Sequence, residues 1–150
     1  MDRVDGISAH LAKLGWDCTD IDIVNEGLPG EPSHDLSSAS HWDIVHRDMR
    51  KGYFHAIIMG TPCETASRAR TGPPGPRPLR SAKHIYGLPK AQLTTAEHDQ
   101  VRLGTYFALK SAETAQLAHS CGTPWVIESQ ILTEIQFPCS TCQNGRTCFA

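Results

Sequence analysis

The sequence predicts an α/β fold, a parallel sheet with helices on both faces, on three observations. Helix-like and strand-like segments alternate along the chain, as they do in βαβ units. Two short apolar runs, FHAIIMG (54–60) and PWVIES (124–129), read as buried strands. Polar residues suited to chemistry follow those runs directly, at the carboxyl ends of strands, where open α/β sheets hold their ligands.

Each element has its own signal. In GISAHLAKLG (6–15), Ile7, Leu11 and Leu14 fall at helical spacing and Gly15 is a stop. DCTDIDIV (17–24) is short, rich in Ile, Val and Thr, and reads as a strand ending in Asp20 and Asp22. Residues 25–33 hold two Gly and two Pro, a loop. From Ser40 to Lys51 the pattern is an amphipathic helix with Trp42, Val45 and Met49 along one face. Residues 71–90, dense in proline and glycine, are expected to form a long irregular loop, and loops of that length are usually functional or disordered. A helix is predicted over about Thr95–Ser120, with Val101, Leu103, Phe107, Leu109 and Leu117 as apolar positions. The chain opens on a helix, so the sheet is expected to be incomplete, with no first strand ahead of Met1.

Composition bounds the function. A chain of 150 residues suits one core, and hydrophobic and charged fractions of 39% and 20% exclude a disordered or membrane-spanning chain. No apolar run approaches the roughly 20 residues of a membrane span, and no signal-peptide core is present. The expected setting is intracellular, cytoplasm or nucleus, with no membrane partner. The six cysteines then read as free thiols rather than a disulfide framework.

The net charge of −2 hides an asymmetry. From Thr65 through Ala96 there is no acid, whereas Arg68, Arg70, Arg77, Arg80, Lys83 and Lys90 all fall there. Eight basic residues against sixteen acidic ones remain for the rest of the chain. A basic island on an acidic body fits a polyanion-facing loop; a solvated surface loop is the plainer alternative.

The sharpest local feature is Thr61-Pro62-Cys63. Pro62 stiffens the turn and Cys63 stands where a strand hands over to a loop, where Arg68, Arg70 or backbone amides would favour the thiolate. A small buried thiol is the alternative. Glu128 ends the next strand, directly after two apolar residues.

These residues carry a resemblance. Gly60, Pro62, Cys63 and Ser67 in GTPCETASRAR resemble the Gly-x-Pro-Cys-x-x-x-Ser nucleophile motif of cytosine carbon-5 methyltransferases. Ile127-Glu128-Ser129 is similar to that family's Glu-Asn-Val motif, and DGISAHLAKLGWDCTDIDIV to its cofactor segment. HDL (34–36) is similar to the position of its adenine-contacting acid. The resemblance spans about residues 3–132 and implies a Rossmann-like methyltransferase sheet, with 65–95 as a basic Pro-rich insert. It departs at Ser129, at Ala66 and after residue 132, where no arginine motif or target-recognition domain follows.

What the resemblance implies is S-adenosylmethionine-dependent methylation of cytosine in DNA, with RNA as the other possible substrate. Cys63 would be the nucleophile and Glu128 the group that holds the base. Gly6, Asp22, Asp35 and Pro62 would contact the cofactor, and Ser67, Arg68, Arg70 and Arg80 the nucleic acid. The alternative is a nucleic-acid-binding remnant without catalysis. Two further readings attach to the irregular tail, 133–150. Cys139, Cys142 and Cys148 could form part of a zinc site, or C-x-x-C could serve as a redox pair.

Overall fold

The computed structural model describes residues 6–21, 34–67, 70 and 74–128. The chain divides into two compact units, Met1–Tyr53 and Phe54–Ala150. The described residues form a mixed α/β structure of three α-helices and one two-stranded parallel sheet.

The first unit holds α1, Ile7–Lys13, and α2, Ala39–Arg50. Entry into α2 is built by short polar contacts. The Ser37 N–H donates to the Asp35 carboxylate at 2.8 Å, and Trp42 Nε1 donates to the Leu36 carbonyl at 2.7 Å. Trp42, His46 and Met49 are the buried face of α2, at the i, i+4, i+7 spacing that one helical stripe requires. His46 takes the place expected for Val45, which lies on the edge of that stripe and is only half-buried.

The strand expected over 17–24 is not formed in its described part. Residues 16–21 carry no strand, and 22–24 lie outside the described residues. The chain doubles back instead, with the Trp16 N–H donating to the Leu11 carbonyl at 3.1 Å. Asp20 accepts from the Ser8 hydroxyl at 2.6 Å. β-propensity is realised only where a neighbouring strand and a buried face exist, and residues 19–21 are exposed.

The second unit is a β-α-β arrangement. β1, Ile57–Gly60, pairs in parallel with β2, Trp125–Glu128, in the register Ile57 to Trp125 and Gly60 to Glu128. A parallel pair needs a long crossover, and the Pro-rich loop followed by α3, Thr95–Cys121, supplies it. α3 opens on a capping box. The Glu97 N–H donates to Thr94 Oγ1 at 3.3 Å and the Thr94 N–H to Glu97 Oε2 at 2.8 Å.

The buried stripe of α3 runs through Val101, Gly104, Ala108, Ser111, Ala112, Ala115 and Ala118. Of the apolar positions noted in the sequence, Val101 lies in this stripe, whereas Leu103 and Leu109 are exposed. Small residues allow the helix to approach its neighbours closely, and the large apolar residues are displaced to its flanks. β2 packs against α3. Successive strand residues face opposite sides, so Ile57, Met59 and Ile127 share one half-buried face. Ile58 and Val126 lie on the other, 51% and 59% exposed.

The Pro-rich segment is docked rather than loose where it is described. Leu79 is fully buried, and the Leu88 N–H donates to the Leu79 carbonyl at 2.9 Å. Arg77 binds Glu97 of α3 through two nitrogens. Gly87 adopts φ +120°, and a Cβ there would lie 2.2 Å from Val101 Cγ1. Both constraints require glycine at that crossing.

Candidate active site

The turn that carries Cys63 grows out of the sheet. The Thr61 N–H donates to the Glu128 carbonyl at 3.0 Å, extending the parallel ladder one step past Gly60. Its hydroxyl donates to Ser111 Oγ of α3 at 3.0 Å, and both side chains are buried. The chain then turns outward. Pro62, Cys63 and Glu64 are exposed, and Thr65 is buried again. The Cys63 carbonyl accepts from the N–H groups of Ala66 at 2.9 Å and Ser67 at 2.8 Å, closing one helical turn.

Two threonines therefore anchor the turn and leave an exposed free thiol between them. Glu128 is exposed, and Gly60 faces it in the register. By strand alternation it shares the uncovered face with Val126. Cys63 and Glu128 thus belong to the same carboxyl end of one strand pair, with Cys63 three residues beyond the position opposite Glu128.

Two arginines brace this turn. Arg80 is half-buried and all five of its N–H groups are engaged. Nε and Nη2 donate to Thr65 Oγ1 at 3.0 and 2.9 Å, and Nη1 donates to the Ile85 carbonyl at 2.7 Å and Thr105 Oγ1 at 3.1 Å. Nη2 also reaches the Val101 carbonyl at 3.1 Å. Every partner is a neutral oxygen, and burial pushes the guanidinium below its usual range. Arg70 Nε donates to the Glu64 carbonyl, and its Nη1 to that of Arg77 at 3.2 Å.

The expectation that Arg80 meets nucleic acid is therefore corrected. A guanidinium has five donors, and none remains here for a phosphate. Arg70 likewise serves the loop. Ser67 takes part through its main chain, and Arg68 lies outside the described residues. Sequence reasoning missed Thr65, Gly104 and Ser111, which seat the turn on α3. The Gly104, Ala108 and Ser111 spacing along one helix face was their only signal.

The cofactor expectations fare differently one by one. Asp35 is half-buried, and hydrogen bonds from Ser37 hold its carboxyl below the usual carboxylate range. Its main-chain carbonyl accepts from the Ser38 N–H at 3.1 Å and from His41 Nδ1 at 2.7 Å. Gly6 precedes α1 in extended backbone (φ −64°, ψ 175°), and an added Cβ would meet only Ser8 Oγ at 3.8 Å, so nothing described requires glycine there. Asp22 lies outside the described residues.

Beside the Cys63 turn, Pro62, Glu64, Thr65, Gln100, Gly104 and Phe107 line a shallow cleft of about 80 Å³. A larger open groove, about 310 Å³, lies between residues 86–93 and the first turns of α3. Among the described residues no three His, Cys, Asp or Glu side chains gather as for a metal ion, and no helix is long and apolar enough to cross a membrane. Cys139, Cys142 and Cys148 lie outside those residues, with the rest of the tail 133–150.

Compared with protein-family models, with curated proteins and with solved structures, the chain matches none.

Proposed function

We propose that this chain is part of a Rossmann-like, S-adenosylmethionine-dependent enzyme that methylates carbon 5 of cytosine in nucleic acid, with Cys63 as nucleophile. One observation carries the reading: an exposed thiol and an exposed carboxylate stand at the same end of two hydrogen-bonded parallel strands. That is the placement expected of reacting groups in an α/β sheet.

Cytosine carbon 5 is a poor nucleophile. The Cys63 thiolate adds to carbon 6, and the ring electrons move to make carbon 5 nucleophilic. Glu128 accepts a hydrogen bond from the exocyclic amine and delivers a proton to N3, neutralising the negative charge that develops there as the thiolate adds. Gly6, Asp22 and Asp35 would hold S-adenosylmethionine and Pro62 would face it; when bound, it supplies the methyl group. After transfer, loss of the carbon-5 proton to a base and elimination across carbons 5 and 6 release the thiolate. A base within a duplex must flip out, or the substrate must be single-stranded.

A second reading, a nucleic-acid-binding remnant without catalysis, is favoured by the size of the cleft beside the Cys63 turn, which Cys63 itself does not line. Its 80 Å³ falls well below the roughly 300 Å³ at which small-molecule sites begin.

Trapping separates the two. An oligonucleotide containing 5-fluorocytosine, incubated with the protein and S-adenosylmethionine, should give a covalent adduct stable to denaturing electrophoresis, because fluorine blocks elimination. Cys63→Ser should abolish it, and Glu128→Gln should slow it. A folded protein that binds S-adenosylmethionine by calorimetry yet forms no adduct overturns methyl transfer in favour of the remnant.

A further inference from the structure

We infer that the groove between residues 86–93 and the start of α3 binds one nucleotide of a single-stranded nucleic acid, with the base stacked on Tyr86 and the phosphate held by Lys90 and Arg102. The inference rests on the reading of nucleic acid as the substrate, but not on Cys63 chemistry.

Arg80 spends all its donors inside the protein and Arg77 is paired with Glu97, so other cations are better placed to meet a polyanion. Lys90 and Arg102 line one groove, together with His98, and no acid lines it. Arg102 and Asp99 approach only to 3.8 Å, both well exposed, and so weak a pair leaves the guanidinium available to a phosphate. Tyr86 is 53% exposed on the same groove, over an apolar floor that includes Leu88 and Val101. Cations beside an exposed ring above apolar surface are the combination that holds single strands, since every base offers a face to stack. An acidic peptide would use the cations and leave the ring without a partner. The volume of about 310 Å³ suits one nucleotide rather than a duplex.

The groove is not the reacting site. Its helical residues are His98, Val101, Arg102 and Thr105, whereas the cleft beside the Cys63 turn takes Gln100, Leu103, Gly104 and Phe107 from α3. At 3.6 residues per turn these two sets lie on opposite sides of the helix, about 10 Å through. The nucleotide in the groove is therefore a different one from that at Cys63, held on the other side of α3.

Fluorescence anisotropy with a labelled twelve-residue oligothymidylate tests this. The full chain should bind the single strand more tightly than a duplex of the same length. Tyr86→Ala should weaken binding roughly ten-fold, and Tyr86→Phe should preserve it, because the ring and not the hydroxyl stacks. Lys90→Ala with Arg102→Ala should reduce the slope of log affinity against log salt by about 0.7, the amount for one phosphate no longer neutralised. Arg50→Ala, a cation in the last turn of α2, should change neither quantity. All these side chains are exposed, and circular dichroism confirms folding. The proposal is overturned by absence of oligothymidylate binding, by unchanged affinity and slope in the variants, or by a polyglutamate peptide competing equally well. Groove-dependent binding without an adduct would overturn methyl transfer alone. An adduct formed with wild-type efficiency by the groove variants would overturn the groove alone.

Discussion

Thr61 is tied at both ends: its N–H donates to the Glu128 carbonyl at 3.0 Å and its hydroxyl donates to Ser111 Oγ at 3.0 Å. One residue thus joins the two strand ends to α3, immediately before Pro62 and Cys63. Thr61→Val keeps the shape and removes the hydroxyl, leaving Ser111 without that partner in a buried setting. Unfolding in urea should show a loss of about 1–2 kcal/mol. Adding Ser111→Ala should return part of the loss, because no buried hydroxyl is then stranded. Additive losses in the double variant would mean the two groups do not communicate.

Arg80 should be irreplaceable by lysine. Its planar fork reaches four oxygens from three segments, whereas an ammonium has three donors on a flexible stem. Arg80→Lys is expected to cost about 3 kcal/mol in denaturant midpoint analysis. It should also raise the reactivity of Cys63 toward a thiol reagent, since Thr65 loses its anchor. Stability within experimental error of wild type would show that the fork is not needed.

Glu97 makes the Pro-rich loop acid-sensitive. Arg77 first, and then the Thr94 N–H, lower its pKa from 4.5 to about 2. A carboxyl whose folded pKa is depressed adds stability above its unfolded value, and this is lost as pH falls through the folded value. The attachment of the loop should therefore weaken progressively between about pH 4.5 and pH 2. Glu97→Gln should flatten that part of a stability-against-pH curve and leave the slope near neutrality unchanged.

Gly104→Ala sets two effects against each other. Alanine favours a helix interior by about 1 kcal/mol. Its Cβ, however, would sit 2.9 Å from Thr65 Oγ1 and 3.3 Å from Arg80 Nη2. Thr65 is buried and held by Arg80, so it cannot rotate aside cheaply, and overpacking costs about 1–3 kcal/mol. The net result should be destabilisation with a faster-exchanging Thr65 amide. A gain in melting temperature would show that the turn yields to α3.

The elements of the second unit were legible because their signals are local. FHAIIMG and PWVIES are apolar runs bounded by turns, and they became Ile57–Gly60 and Trp125–Glu128. Thr94 and Glu97 form a capping box written in four consecutive residues, and α3 begins there. DCTDIDIV carried an equally plausible local signal, yet residues 17–21 form no strand. Strand formation depends on a neighbour that the segment itself does not encode.

Local pattern was enough to say where the chain bends and where helices and strands lie in the second unit, and it set Pro62-Cys63 and Glu128 at the ends of apolar runs. That those ends are paired, with Gly60 opposite Glu128, is a product of folding in three dimensions. So is the choice of which side of α3 is buried, which fell on Gly104, Ala108 and Ser111 over Leu103 and Leu109. The same holds for the basic island, where Arg80 became an internal strut, Arg77 an exposed brace to Glu97, and Lys90 was left exposed. The reason is physical. Charge is a property of a residue, but whether a guanidinium faces water or spends its donors on Thr65, Ile85, Val101 and Thr105 depends on oxygens 5 to 25 residues away in the chain. Folding alone brings those oxygens to within about 3 Å of its nitrogens.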